Sequence, residues 1–338
     1  MKTYIEKMLE RRHLSFDEAF FVMDSIMSGE VNNSQLAALL IALKGKGESA
    51  SEIAGFAKAM RGKSLKVATK RSDLIDVCGT GGDDSGTFNI STAAAFVVAG
   101  AGVGVAKHGN KSISSRSGSA DVLTELGIKI DLTPEQTTQA IDEIGIGFLF
   151  APHYHPAMKY AALVRKELGM KTAFNLLGPL TNPAGTKKQL IGVYNNKSAA
   201  LMAEAASYLD MERVCFICTG DIRDEVTLDA PTQVFDYSNE RGVVNYELTA
   251  ESFGYPEVKI EDLLGDSPEY NAKLILELLK NPVRDGKFFV VVANSALALY
   301  SAGVSSDLST CVEIAEDSIL SQKAYRKMEQ LKHFSEAL

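Results

Sequence analysis

The chain reads as an α/β protein, with a small N-terminal helical domain leading into a larger α/β domain built on a mostly parallel sheet. Three observations predict this. Residues 1–68 carry apolar positions at three- and four-residue spacing and show no strand-like alternation. From Asp73 onward, short apolar runs alternate with helical patterns, the order of βαβ units around a parallel sheet. A glycine-rich segment, Asp76-Val77-Cys78-Gly79-Thr80-Gly81-Gly82-Asp83, stands between the first such strand and its helix, where open α/β folds bind ligands. A length of 338 residues agrees with two domains at roughly 150 residues each. The expected division is 1–68 and 73–338, with a helical segment near 165–185 joining the two.

In order along the chain, helices are expected at Tyr4–Arg11, Phe16–Ser28, Asn33–Lys44 and Ser51–Arg61. Ser15 with Glu18, and Ser49 with Glu52, have the spacing of capping boxes, and Gly29 and Gly45 suit helix ends. Leu74–Val77 is the first strand, Asn89–Gly100 a buried helix apolar nearly all round, and Val103–Ala106 the second strand. Helices follow at Asp121–Leu126 and Pro134–Ile144, then a strand at Gly147–Phe150. Pro156 opens a helix to Leu168. Gln189–Val193 and Val214–Cys218 are strands separated by a helix at Ser198–Leu209. Tyr270–Leu279 is a helix, Phe288–Ala293 a strand, and Leu297–Ala302 and Leu308–Glu329 are the closing helices.

Composition narrows the function. With 46% hydrophobic and 23% charged residues the chain can build a large core. A net charge of −8 gives no footprint for nucleic acid or for an anionic membrane surface. The apolar run Ala93–Val105 falls short of the ~18 residues of a membrane span. Four cysteines and no apolar signal core point to reduced thiols and a cytoplasmic protein.

The residues with chemical potential fall in four groups. Glycines just past a strand let backbone N–H groups approach a phosphate, and the helix starting near Asn89-Ile90-Ser91-Thr92 adds its dipole; the plain alternative is a tight turn. Neither a dinucleotide fingerprint nor a P-loop fits, since the glycines those patterns require fall on Asp84 and Ala57. The second group is Lys107 to Ser119, with three cations, five serines and two glycines at the carboxyl edge of the sheet: a second phosphate clamp, or a flexible Ser-rich loop. The third is Asp224-Glu225, a solvated pair or the carboxylates of a Mg²⁺ site completed by substrate phosphates. In the fourth, Met158, Ala162 and Arg165 share a helix face, with Tyr154 and His155 at its start. Arg165 there is a surface charge or a grip for a carboxylate. Cys215 and Cys218 lie in an apolar strand and read as core. His153 and His155 have no acid or cysteine cluster to complete a metal site.

Taken together, Gly79-Thr80-Gly81-Gly82-Asp83, Asn89-Ile90-Ser91-Thr92, Lys107-His108-Gly109-Asn110, Ser117-Gly118-Ser119-Ala120-Asp121, Phe174-Asn175-Leu176-Leu177-Gly178-Pro179-Leu180-Thr181-Asn182-Pro183 and Asp224-Glu225 resemble the anthranilate phosphoribosyltransferase family. The resemblance spans nearly the whole chain and is strongest from Asp76 to Pro183. It implies the fold of class II nucleoside phosphorylases, and transfer of a phosphoribosyl group from phosphoribosyl pyrophosphate to the amine of anthranilate, a step of tryptophan biosynthesis.

By that resemblance, Gly79, Gly82, Asp83, Thr87, Asn89, Ile90, Ser91, Thr92, Lys107, His108, Gly109, Asn110, Lys111, Ser112, Ser114, Ser115 and Ser119 hold phosphoribosyl pyrophosphate. Gly79, Asn110, His155, Arg165 and Gly178 meet anthranilate. Ser91, Asp224 and Glu225 hold magnesium, a pair of ions per subunit. The resemblance also implies a homodimer through the helical domain, and it assigns no covalent nucleophile or general base. Asp84, Arg116 and Thr219 stand where the family commonly has Gly, Lys and His. A pyrimidine nucleoside phosphorylase of the same fold is the enzyme alternative, against which stands the Gly after Lys107-His108. A non-catalytic nucleic-acid-binding relative is the other, against which stand the acidic charge and the retained Asp224-Glu225 pair.

Overall fold

The computed structural model describes residues 1–83, 85–112 and 116–338. Four helices come first: α1 (Lys2–Leu9), α2 (Phe16–Met27), α3 (Asn33–Lys46) and α4 (Ala50–Lys63). Both capping boxes form, Ser15 with Glu18 and Ser49 with Glu52, each satisfying two N–H groups that a helix start leaves without partners. Gly29 follows α2 as expected. Gly45 instead lies inside α3, which ends at Gly47 with φ +87°. The two added residues include Lys46, whose ammonium reaches the buried Glu52 carboxylate at 2.6 Å.

The sheet has seven strands in the order β3-β2-β1-β4-β5-β6-β7. β1 (Leu74–Gly79), β2 (Gly104–Gly109), β3 (Ile146–Phe150), β4 (Lys188–Gly192) and β5 (Arg213–Thr219) are parallel. β6 (Thr232–Ser238) and β7 (Gly242–Leu248) add an antiparallel edge. From β1 the chain moves outward to β2 and β3, then returns to β1's other side at β4. The carboxyl end of β1 is therefore a switch point, the place where open α/β sheets form a crevice.

The helices after β1 are α5 (Ile90–Gly100), α6 (Ser119–Glu125), α7 (Pro134–Ile144), α8 (Ala151–Tyr154), α9 (Lys159–Leu168), α10 (Phe174–Leu177), α11 (Asn196–Ala206), α12 (Pro268–Lys280), α13 (Gly286–Ala302), α14 (Leu308–Leu320) and α15 (Lys323–Glu336). α5, α13, α14 and α15 pack into one core with residues of β1, β2 and β5. α1 to α4, α9, α10 and α11 form a second core that includes Ile191, Val214 and Phe216 of the sheet. The helical bundle thus buries its apolar stripe directly against the α/β region. Among the described residues, no helix is long and apolar enough to cross a membrane.

Several expectations are corrected. Phe288–Ala293 is no strand, and Leu297–Ala302 no separate helix: both belong to α13. Val290, Val291 and Val292 suggest a strand, but the Asp285 carboxylate accepts from Phe288 N at 3.1 Å and starts a helix buried on nearly every side. The expected helix 308–329 breaks in two at Gln322, φ +59°. Pro156–Met158 is a 3₁₀ turn, so the helix proper begins at Lys159. β6 and β7 are not among the expected strands.

Candidate active site

The site begins where β1 ends. An added Cβ at Gly79 would lie 2.7 Å from Asp224 Oδ2, and one at Gly192, the last residue of β4, only 1.5 Å from the Asp224 carbonyl oxygen. Two strand ends therefore stay bare so that the Asp224-Glu225 loop can lie across them. Beyond Gly79 the chain turns through Gly81 and Gly82, both with positive φ. Gly81 N donates to Asp224 Oδ2 at 2.8 Å. The Lys171 ammonium donates to the Gly82 carbonyl and lies 4.2 Å from the centroid of the Tyr194 ring.

Glu225 is held at the start of α5. Ser91 N donates to its Oε1 at 3.2 Å and Thr87 Oγ1 to its Oε2 at 3.0 Å. The helix N-terminus thus already serves an anion, but that anion is a protein carboxylate. Ile90 N donates to Phe88 O and Thr92 N to Asn89 O, while the Ile90 side chain is core and Thr92 Oγ1 is buried without a partner among the described residues. Thr219, in the position the resemblance gives to His, donates its hydroxyl to the Glu225 carbonyl at 2.6 Å.

Lys107 lies beneath these groups. It is buried in β2, and its ammonium donates to Val77 O at 2.6 Å and Ser91 Oγ at 3.4 Å. Burial pushes its pKa down, opposed by Asp76 and, more weakly, Cys78 and Glu225. The Asp224 carboxyl is pushed up to about 7 by burial and by repulsion from Asp83. Burial, then Asp224 and Asp83, raise Glu225 as well. Carboxylates crowded against their own repulsion form a site for a hard cation. Among the described residues no group of three His, Cys, Asp or Glu could enclose a metal. An all-oxygen set of two carboxylates and a hydroxyl, partly exposed, fits Mg²⁺, which keeps waters and takes phosphate oxygens.

The second loop leaves β2 at Gly109. Its organiser is Asp121, one of whose carboxylate oxygens accepts from both Ser112 N and Gly118 N at 3.0 Å. Ser119 Oγ donates to Asn110 O at 3.4 Å, and Asn110 and Lys111 are exposed. Ser114 and Ser115, like Asp84, lie outside the described residues.

His108 points to the other face of β2 from Lys107. Its ring centroid is 5.2 Å from that of His155, and both Nε2 atoms are buried without a partner among the described residues. Burial pushes His108 down to about 3, helped by His155 and opposed by the Gly178 backbone; burial, with Lys66 nearby, takes His155 down to about 4. The structure therefore brings His108, His155 and Gly178 together. Underneath, the fully buried Asp76 accepts from His108 N, Asn182 Nδ2 and Gln189 Nε2 at 3.1, 2.8 and 3.3 Å. Arg165 is half-buried, its guanidinium 5.1 Å from the Phe174 ring centroid, and burial alone lowers its pKa, with no carboxylate contributing. Ala162 is exposed, so the expected face of Met158, Ala162 and Arg165 is not a closed apolar wall. Gly192, Asp121, Lys171 and Asp76 escape the sequence reading as site residues. Asp121 accepts from the N-cap amide of α6, Gly118 N, but with glycine at that cap the sequence carries no capping-box signal for it.

Comparison with known proteins agrees with this architecture. The glycosyl transferase family matches twice, its helical bundle domain over residues 2–64 and its a/b domain over residues 71–325. An anthranilate phosphoribosyltransferase of Persephonella marina is 44% identical over 336 residues, covering 99% of each chain. The crystal structure of anthranilate phosphoribosyltransferase from Thermus thermophilus superposes with a TM-score of 0.92 at 40% identity, covering 98% of this chain and 99% of that one. That of the Saccharomyces cerevisiae enzyme in complex with PRPP (phosphoribosyl pyrophosphate) and Mg does so with a TM-score of 0.88 at 27% identity, covering 99% and 98%. Matched from end to end, with both family domains in order, the chain belongs to the anthranilate phosphoribosyltransferases of the glycosyl transferase family.

Proposed function

We propose that the protein transfers the phosphoribosyl group of phosphoribosyl pyrophosphate to the amine of anthranilate and releases pyrophosphate, a step of tryptophan biosynthesis. The observation that carries this reading is the assembly at the end of β1: Glu225 docked on the first turn of α5, Asp224 on the glycine turn, and the Lys107 ammonium beneath Ser91. The glycine turn (Gly79, Gly82, Asp83), Thr87, the segment Asn89–Thr92, the loop residues Lys107 to Ser112 with Ser114 and Ser115, and Ser119 hold phosphoribosyl pyrophosphate. Ser91, Asp224 and Glu225 hold magnesium, a pair of ions per subunit, which when bound offsets phosphate charge and stabilises the leaving pyrophosphate. Arg165, with His155, Gly178, Gly79 and Asn110, meets anthranilate; the His108 side chain joins that group, while its peptide stays with the phosphate loop.

The residues have separable work. Lys107 and the loop amides stabilise negative charge as it develops on the leaving group. Arg165 and Asn110 orient the amine, turning a two-body encounter into an aimed attack. An aromatic amine is neutral at pH 7, so no strong base is needed to free its lone pair. The chain divides at 1–68 and 73–338, with a helical segment near 165–185, and acts in the cytoplasm as a homodimer through the helical bundle. Exposed Leu9, Phe21, Ile41 and Leu163 on the bundle and α9 favour that interface.

Anthranilate fluorescence tests the activity. It is expected to fall with time only when phosphoribosyl pyrophosphate and Mg²⁺ are both present, and phosphorolysis of thymidine in its place would assign the nucleoside phosphorylase reaction. In Arg165→Ala the KM for anthranilate is expected to rise by about tenfold or more; an unchanged value removes Arg165 from the site.

A further inference from the structure

The connector between β7 and α12 approaches both phosphate loops from behind. Leu264 pairs with Thr87 in an isolated antiparallel bridge, Gly265 N donates to Gly86 O at 2.8 Å, and Phe88 N donates to Leu263 O at 3.0 Å. Asp266 forms an exposed ion pair with Arg116 of the second loop at 2.7 Å. Gly265 lies so close that an added Cβ would be 2.7 Å from Asn271 Oδ1 and 2.8 Å from Phe88 Cα.

Asn271, on α12, is 2% exposed and stands at the centre of this contact. The orientation of its amide is fixed by what surrounds it. Asp266 N can only donate, so the Asn271 oxygen must face it, at 2.9 Å. The Asn271 nitrogen then donates to Asn89 Oδ1 at 3.0 Å, which forces Asn89 Nδ2 toward the Ser117 carbonyl at 3.2 Å. A directional chain of hydrogen bonds thus runs from the connector through the first phosphate loop to the second. It also explains a local anomaly. Asn89 occupies the N-cap of α5, yet its side chain makes no cap. An N-cap amide would compete for the first-turn N–H groups, and one of these, Ser91 N, is the donor that holds Glu225.

We propose that Asn271 is a positioning residue for phosphoribosyl pyrophosphate, setting through Asn89 the spacing of the two phosphate loops and leaving Ser91 N to Glu225. This rests on the reading that those loops hold that substrate. Nothing in the motifs of residues 76–183 points to it.

Two variants test the proposal. Asn271→Asp keeps the shape and the acceptor for Asp266 N but sets an oxygen against the Asn89 oxygen. Asn271→Leu removes both bonds at similar volume, and should it fold poorly, Asn271→Asp carries the test. In each, the KM for phosphoribosyl pyrophosphate is expected to rise roughly tenfold while the KM for anthranilate stays put. In an Asn89→Ala background neither should add a further rise. A merely structural role in holding the connector would leave Asn271→Asp kinetically normal. A phosphoribosyl pyrophosphate KM within about twofold of wild type, or a rise that adds in full to that of Asn89→Ala, overturns the proposal. A wild-type KM in Asn89→Ala itself overturns instead the placement of substrate on these loops.

Discussion

At Lys107 a single charge is placed where it counts most. Its ammonium is buried under Ser91, and a charge in low dielectric acts far more strongly on its neighbours than one on the surface. Lys107→Met keeps the stem and removes the charge. The kcat/KM for phosphoribosyl pyrophosphate is expected to fall about 100-fold, the scale of losing one preorganised donor, with an unaltered circular dichroism spectrum. A fall below about threefold would mean that the ammonium only secures the Val77 carbonyl. Gly192 makes a steric counterpart. Because a Cβ there would meet the Asp224 carbonyl at 1.5 Å, Gly192→Ala must displace the acidic loop, at a cost of about 1–3 kcal/mol. The Mg²⁺ concentration for half-maximal rate should rise several-fold; an unchanged Mg²⁺ titration would dissociate this loop from the metal.

Elements show what the sequence reveals and what it hides. The parallel strands and their helices are readable because each is a short apolar run next to a periodic one. The glycine turn and the Lys107 loop are readable because their composition is unusual and each follows a strand. α13 is mistaken for a strand because a helix buried on nearly all sides has no periodicity to distinguish it from a buried strand. β6 and β7 are missed although Val244 to Leu248 alternates apolar and polar residues: β7 is a short, largely exposed edge strand, and β6 mixes polar and apolar residues with no long apolar run. Residues that organise the site from a distance are hidden too, since Asp121, Gly192 and Asn271 gain their roles only when the fold brings them to the loops. The second loop tests this view. With Asp121→Ala, Ser112 N and Gly118 N lose their shared acceptor. Amide exchange at Ser112 and Gly118 is expected to accelerate at least tenfold, and the phosphoribosyl pyrophosphate KM to rise with it. Unchanged exchange there would show that the loop is ordered by other contacts.

At the scale of the whole molecule, the buried pair formed by His108, at the end of β2, and His155, after α8, gives the protein an acid sensitivity of predictable sign. Burial holds the two imidazoles neutral, with pKa values near 3 and 4, whereas in the unfolded chain each titrates near the ordinary value of about 6.5. Between those limits the unfolded state binds protons that the native state refuses. The stability tied to the pair is therefore complete above pH ~6.5 and is lost as pH falls, by up to about 1.4 kcal/mol per pH unit for each histidine. The raised carboxyls of Asp76, Asp224 and Glu225 work in the opposite direction, since the native state there holds protons more tightly than the unfolded one. The histidine contribution must accordingly be read as a difference. Urea unfolding of wild type and His155→Asn at pH 7, 6 and 5 isolates it, because the carboxyls are common to both chains. The variant is expected to lose less stability on acidification, with the gap in slope approaching one histidine's share between pH 6 and 5. Parallel pH profiles would mean that His155 takes up its proton in the folded state, and that the histidine pair admits a charge its burial is expected to exclude.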